Sequence, residues 1–333
     1  MHESGNGAPG RVGRRCLALL VSAGIAAPAL AQAPTGYPDR SIRLVIPAPP
    51  GGPSDVLVRL ARPHLQEALR QTIVVENRPS SGGMVGMGAV ARAAPDGYTL
   101  VLATSVMVIN PSLFPASTYD PVRDFAPIAE LATAQNVFLV RADSPIRDFA
   151  GLLARARAEP GRLNYASPGI GTTPHLAGEL LKVRAGLDIA HVPFLGVNPA
   201  IAALLGNTTE LGALALPPAM PQIREGALRA LAVTGSARWR DLPETPTVAE
   251  AGVPGFLSDT FQALLAPAGT PGAIVDRWAQ AMEAALAVPE VRTRLEQIGF
   301  TVAVRWPEAL RARIDTEVAM YRDLIRRANI RPE

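Results

Sequence analysis

Cysteine is almost missing from the 333 residues: there is one, Cys16. A single thiol forms no internal disulfide and no multi-thiolate zinc site, so disulfide scaffolds and classical zinc modules are excluded. Charge of one sign is missing too. Lysine and arginine number 32 against 29 acidic residues, a formal +3, and so weak a field gives no hold on a polyanion. Nucleic acid is not expected as a partner. The apolar run Cys16 to Ile25 is far shorter than the roughly 20 residues that cross a bilayer. What is present is 48% hydrophobic residues with 32 prolines and 29 glycines. That suffices for one or two buried domains and does not fit a disordered chain.

Cys16 lies in a segment, residues 1–31, that reads as an export signal. Arg11, Arg14 and Arg15 form a basic start, Cys16 to Ile25 an apolar run, and Ala29-Leu30-Ala31 a small-x-small cleavage pattern. The residues before Cys16 lack the apolar lead-in of a lipoprotein cysteine, so no lipid anchor is expected. The Arg14-Arg15 pair leaves general and twin-arginine export both open. Cleavage after about Ala31 removes three arginines and Glu3, leaving 29 basic and 28 acidic groups, a net +1, and no cysteine. Such a thiol-free chain fits an exported, periplasmic protein. Lys182 is its one lysine.

Short β-rich runs alternate with helical patterns, which predicts an α/β protein with largely parallel sheets. Strands are expected at Ile42 to Ile46, Thr72 to Glu76, Tyr98 to Ala103, Val137 to Val140, Leu163 to Ser167, Ile189 to Val192, Leu211 to Leu216, Leu228 to Val233 and Phe261 to Leu265. Helices are expected at Asp55 to Leu69, with Pro63 kinking or restarting it, and at Met84 to Ala94, Phe149 to Ala158, Pro174 to Ala185 and Pro199 to Leu205. A further helix ends at Ala287, with Thr270 as its N-cap and Pro271 in its first turn. The last starts at Pro307, where Leu310, Ile314, Val318, Tyr321, Leu324 and Ile325 recur at helical spacing. Two sets of such units suggest two lobes with a ligand between them.

Two strand-to-helix turns carry the chemistry. In Pro47-Ala48-Pro49-Pro50-Gly51-Gly52-Pro53-Ser54-Asp55 the glycines let the backbone approach a ligand, and free N–H groups at a helix start favour an anion such as a carboxylate. The bland alternative is a tight turn capped by Ser54 or Asp55. Ser167-Pro168-Gly169-Ile170-Gly171-Thr172-Thr173-Pro174-His175 repeats the arrangement, with Thr172 and Thr173 offering hydroxyls and caps. His175 is either a ligand contact, a general base or a structural residue. Neither turn is a phosphate loop or a dinucleotide fingerprint. Gly82-Gly83-Met84-Val85-Gly86-Met87-Gly88 reads as close helix packing. His64, His175 and His191 are too dispersed for a metal site, and neither a metal nor a cofactor is expected. A triad of Ser167, His175 and Asp55 has nothing local to support it.

Together these motifs resemble the solute-binding receptors of tripartite tricarboxylate transporters, the Bug family, from about Tyr37 to the C-terminus. The likeness rests on Tyr37-Pro38 through Pro49-Pro50-Gly51-Gly52 and Asp55, on Val75-Glu76-Asn77-Arg78-Pro79, and on Ala94-Pro95-Asp96-Gly97-Tyr98-Thr99-Leu100. It continues through Asn110-Pro111-Ser112-Leu113, Leu163-Asn164-Tyr165-Ala166-Ser167, His175-Leu176-Ala177-Gly178-Glu179, His191-Val192-Pro193, Pro246-Thr247-Val248-Ala249-Glu250-Ala251-Gly252 and Leu265-Ala266-Pro267-Ala268-Gly269-Thr270-Pro271. The resemblance implies a two-lobed, type II-like periplasmic binding protein, each lobe a mainly parallel sheet flanked by helices. Lobe 1 comprises residues 37–138 with 258–333, and lobe 2 residues 139–257. It also implies a non-enzymatic, monomeric receptor that delivers a small organic carboxylate to membrane permease subunits. An extracytoplasmic sensor, or a secreted hydrolase using Ser167 or His175, is the alternative.

In that family one ligand carboxylate sits between two turns, held by backbone N–H groups, hydroxyls and water. The turns correspond here to Pro50, Gly51, Gly52, Ser54 and Asp55, and to Ser167, Gly169, Gly171, Thr172, Thr173 and His175. Thr104-Ser105 and Phe194-Leu195-Gly196 match other cleft-lining segments. The chain departs from the family at Ala48, where an aromatic is common, at Phe194-Leu195-Gly196-Val197, where Tyr-Lys-Gly-Gly is common, and at Leu214-Ala215, where Asp-Asn is frequent. The expected ligand therefore has one well-held carboxylate and a comparatively apolar remainder. A bulky residue at Gly52 or Gly171 is expected to block binding with the fold intact.

Overall fold

Alternation of apolar residues along pleated strands builds the framework. The computed structural model describes residues 36–80 and 83–331 together with Gly5 and Gly7; the expected export signal with Cys16, and Ser81-Gly82, lie outside them. In β1 (Ile42–Ile46), Ile42, Leu44 and Ile46 enter one core and Val45 another. Parallel partners flank it: β2 (Ile73–Asn77) and β3 (Thr99–Thr104). The crossovers are α1 (Pro53–Leu69) and α2 (Met84–Ala91). Pro63 does not restart α1, which is one element. Leu57, Val58, Ala61 and Leu65 bury one face of it, and that packing outweighs the backbone bond proline removes.

After α3 (Val106–Leu113) the chain enters β4 (Phe125–Arg141), 17 residues long where only Val137 to Val140 was expected as strand. Then follow α4 (Phe149–Ala158), β5 (Asn164–Ser167), α5 (Thr173–Ala185), β6 (Ala190–Pro193), α6 (Val197–Leu205), β7 (Leu211–Ala215), α7 (Leu216–Arg224) and β8 (Leu228–Val233). The last elements are β9 (Asp259–Pro267), α8 (Gly272–Ala287), α9 (Pro289–Gln297), β10 (Thr301–Arg305) and α10 (Pro307–Arg327). Strand β9 lies antiparallel between β3 and the first part of β4, and β10 pairs with β4 beside it. From Asn136 onward β4 pairs instead with β7 and β8, and β7 leads through β5 to β6 in parallel. The sheets are thus mixed: parallel in their outer strands, antiparallel where β4 and β9 join them.

The elements α3, α7, α9 and β10 were not read from sequence. Three prolines disguise α7; Pro217 lies at its start, where no N–H is required. The expected Thr270 cap is also corrected: Pro271, in extended conformation, precedes α8, and the Thr270 hydroxyl donates back to Pro267 O at 2.8 Å. All six periodic positions of α10 are buried as expected. Among the described residues no helix is long and apolar enough to cross a membrane.

Trp278, fully buried, donates from Nε1 to the Tyr37 hydroxyl at 2.7 Å, which in turn donates to Gly97 O at 2.8 Å. Tyr37→Phe leaves both partners unpaired in the core. It is expected to lower stability in urea unfolding by about 1–3 kcal/mol.

Candidate functional site

The two turns singled out by sequence meet on one strand. Ser54 Oγ, from the first, donates to Gln262 Oε1 at 2.7 Å, and Thr173 Oγ1, from the second, is 2.6 Å from Thr260 Oγ1. Thr260 and Gln262 are two apart on β9, so their side chains share a face at roughly 7 Å spacing. The Ser105 hydroxyl joins the same strand, donating to Asp259 O at 3.4 Å and accepting from Phe261 N–H at 2.9 Å. Both turns therefore stand at the C-terminal ends of β1, β3 and β5, the usual ligand position in open α/β sheets. Thr260 and Gln262 were missed in sequence; two polar residues at alternate positions leading into an apolar run were the available signal.

In the first turn neither Ser54 nor Asp55 caps α1. The N-cap is Gly52, with no side-chain bond to it, because Ser54 is drawn to Gln262. Asp55 Oδ2 accepts from Gly51 N–H at 2.9 Å and from Arg59 Nε at 2.7 Å. Burial opposes ionisation of Asp55, but Arg59 and Gly51 outweigh it and hold the carboxyl below its ordinary range. Gly51 is in the left-handed region, φ 79°, which aims its N–H inward. The amides of Gly52, Ser54 and Asp55 then have no partner among the described residues and lie at the positive end of a 17-residue helix. Beside them is a cavity of about 230 Å³ with apolar walls from Ile46, Ala48, Leu102 and Met107 and hydroxyls from Ser54, Ser80 and Thr104.

In the second turn Thr172 caps α5 as expected: its Oγ1 accepts from His175 N–H at 3.4 Å and donates to Gly169 O at 2.7 Å. His175 Nδ1 accepts from Gly171 N–H at 3.1 Å, so the ring's proton is on Nε2. The His175 ring stacks on His191 with centroids 4.1 Å apart, and His191 Nε2 lies 2.7 Å from Ser167 Oγ. Tyr165 also packs on His191, with centroids 4.8 Å apart, and donates to Glu179 Oε1 at 2.8 Å, where Lys182 Nζ also donates at 2.9 Å. Burial pushes His175 down to about 4 and His191 to about 3, the neighbouring His175 adding to the second shift. Both imidazoles are neutral near pH 7. The amides of Phe194 and Gly196 donate to Ser167 O and Pro168 O, fastening the β6–α6 turn to this one.

The expected site residues fall into two groups. Pro50, Gly51, Gly52, Thr104, Gly169, Thr172, Phe194 and Gly196 reach the surface, whereas Ser54, Asp55, Ser105, Ser167, Gly171, Thr173 and His175 are buried and hold the turns in shape. Ser105 is 0% exposed with its hydroxyl fully engaged, so it is a strut of β9 rather than part of a cleft lining. The Gly51, Gly169 and Gly171 amides are consumed by Asp55, Ser167 and His175; those of Ile170 and Thr173 are left in the second turn. Ser167, His175 and Asp55 do not assemble as a triad, since Ser167 pairs with His191 and Asp55 with Arg59. Leu214 is core. No group of three metal-binding side chains occurs among the described residues.

This fold, with two helix-start turns facing one strand, defines the class of periplasmic solute-binding receptors. Residues 57–330 match the sequence profile of TctC, the tripartite tricarboxylate transporter family receptor, and the chain belongs to that family. It is 37% identical to the UPF0065 protein in the tcbD-tcbE intergenic region of Pseudomonas sp. strain P51, over 94% of this chain and 93% of that one. It is 33% identical to protein BugT of Bordetella pertussis, over 92% and 94%. Among solved structures it is similar to a TctC solute-binding protein from Polaromonas (TM-score 0.80, 29% identity, 87% and 99% covered). MatC of Rhodopseudomonas palustris with bound malate gives 0.70 and 32%, with 87% and 100% covered. An R. palustris protein with adipate gives 0.74 and 32%, with 89% and 100% covered.

The two glycine substitutions now separate. Gly52 has φ −73°, and an added Cβ meets only Pro49 O at 3.5 Å. Gly52→Leu is expected to abolish ligand-induced thermal shifts while changing the ligand-free Tm little. Gly171 has φ 77°, and its Cβ would lie 2.6 Å from Leu113 Cδ2, so Gly171→Leu is expected to lower stability as well. For the histidines, a depressed folded value means stability present above the free value of 6.5 and lost as pH falls below it. Urea unfolding is expected to show stability falling between about pH 6.5 and 4, with a shallower fall in His191→Gln.

Proposed function

We propose that this receptor binds a small organic carboxylate in the periplasm and delivers it to the membrane permease subunits of a tripartite transporter. Its ligand lies between two lobes, residues 37–138 with 258–333 and residues 139–257, and stabilises their closure by touching both. The observation that carries this reading is the convergence of two helix starts, each with unpartnered amides, on the polar face of β9. Amide dipoles at two helix N-termini suit a carboxylate without requiring a full positive charge. Export by a leader cleaved after about Ala31, and action as a monomer, belong to the same reading.

The ligand we infer has one carboxylate and an apolar aliphatic or aromatic remainder. The cavity next to the Gly52–Asp55 amides has walls of Ile46, Ala48, Leu102 and Met107. Leu195, 99% exposed, projects from the turn fastened to Ser167 and Pro168. Malate and adipate, held by two of the structural neighbours, each carry two carboxylates, and the described residues lining this cavity include no Lys, Arg or His to meet a second. Binding without turnover fits Ser167, which is 0% exposed and whose His191 partner has no carboxylate bonded to it among the described residues. A thermal-shift panel tests the ligand class. Aliphatic and aromatic monocarboxylates are expected to raise Tm, and citrate, malate and aspartate to leave it unchanged; the reverse pattern overturns the inference.

A further inference from the structure

The chain passes between its two sets of strands at Gln135–Asn136 in β4 and at Ser258–Asp259 entering β9. Thr234, just beyond β8, ties the crossings together. Its hydroxyl donates to Ser258 O and accepts from Asn136 N–H at 2.9 Å, its N–H donates to Asn136 O, and its carbonyl accepts from Ser258 N–H. Hydrogen bonding around this knot is unfinished. Among the described residues, buried side-chain atoms without a partner gather here: Gln135 Oε1, Asn136 Oδ1 and Glu317 Oε2. Buried polar groups are normally paired, so their concentration at a crossing points to a second arrangement in which they find partners.

Helix α10 lays one guanidinium across the same place. Arg313, its side chain 10% exposed, reaches Glu130 of β4 at 3.0 Å, Asp259 of β9, and Glu317 one turn on at 2.7 Å. Arg305 of β10 approaches Glu130 at 3.7 Å, and Arg184 of α5 and Tyr321 of α10 line the cavity that Glu317 also lines. Within ion-pair contact of one another stand three carboxylates and two guanidiniums, those of Arg313 and Arg305, which leaves one negative charge in excess; a proton on one carboxylate makes this contact set neutral. Of the three carboxylates only Glu317 keeps a buried oxygen without a partner, and burial raises it to about 7 against the pull of Arg313, so Glu317 takes the proton.

We propose that this cluster is a proton-operated latch on the opening of the cleft, with Glu317 as its switch. The proposal rests on the receptor reading, in which the lobes close about these crossings. Protonated, the cluster is neutral and the crossing tight, which favours the closed form. Ionised, the excess charge and the unpaired Glu317 Oε2 draw in water and favour the open form.

The test is a distance measurement without ligand. Cysteines introduced at exposed Val85 and Asn198, in a Cys16→Ser background, carry spin labels on the two sides. The population of longer distances is expected to rise about twofold between about pH 6 and 8, with a midpoint near 7, and to be constant in Glu317→Gln. A distribution independent of pH, or an unchanged pH response in Glu317→Gln, overturns the latch. Carboxyl NMR of the unsubstituted chain needs no variant: a Glu317 resonance titrating in the ordinary glutamate range also overturns it. Adding the monocarboxylates keeps the two readings apart. Shortening by ligand with no response to pH removes the latch alone, and a response to pH with none to any carboxylate removes the ligand reading alone.

Discussion

Four successive residues of β9 take up the parts of the molecule that must be held in relation to one another. Asp259 receives Arg313 of α10, Thr260 receives Thr173 of the second turn, Phe261 N–H binds the Ser105 hydroxyl, and Gln262 receives Ser54 of the first turn. The strand can do this because it is central, laddered to β3 on one side and β4 on the other, and because a strand sends alternate side chains to one face. Each bond is buried or partly so, where an unmatched partner would cost about 1–3 kcal/mol. In this structure the spacing of the two turns matches the repeat of one strand.

The turns also spend much of their own hydrogen-bonding capacity internally. Asp55, Ser167 and His175 each bind an amide of the glycine segment they follow or precede. This fixes left-handed glycines such as Gly51 and Gly171 and selects which amides stay available: those at the true starts of α1 and α5. A rigid turn with few free donors loses little freedom when a ligand arrives, the advantage of a preorganised site.

Much of this was legible in the sequence because it is local. The strand-to-helix turns, the Thr172 cap and the apolar stripe of α10 depend on residues within a few positions of each other, and periodicity and capping chemistry reveal them. What escaped depends on distant partners. The residues of β4 before Val137 alternate too weakly to announce a strand, and they are strand because β9 and β10 pair with them. Ser105 stands after a strand end like a cleft residue, yet β9 engages it completely. The Ser167–His191 pair and the stack with His175 unite side chains from β5, β6 and α5 that no spacing rule connects. The turns' own residues located them and the resemblance to the family pointed to the same two, but the division between exposed amides and buried supports required the packing.

The charges around the turns complete the physical picture. Arg59 is tied to Asp55, Lys182 to Glu179, and the two imidazoles between them are neutral. What the proposed carboxylate meets is therefore a set of oriented amide dipoles, whose field fades within about one helical turn. With a formal charge of only +3, long-range steering is weak as well. An anion is then favoured only once it is in place, and any small carboxylate satisfies that requirement equally. Selection among carboxylates then falls to whatever the remainder of the ligand touches, which under the proposed reading is the apolar wall of Ile46, Ala48, Leu102 and Met107.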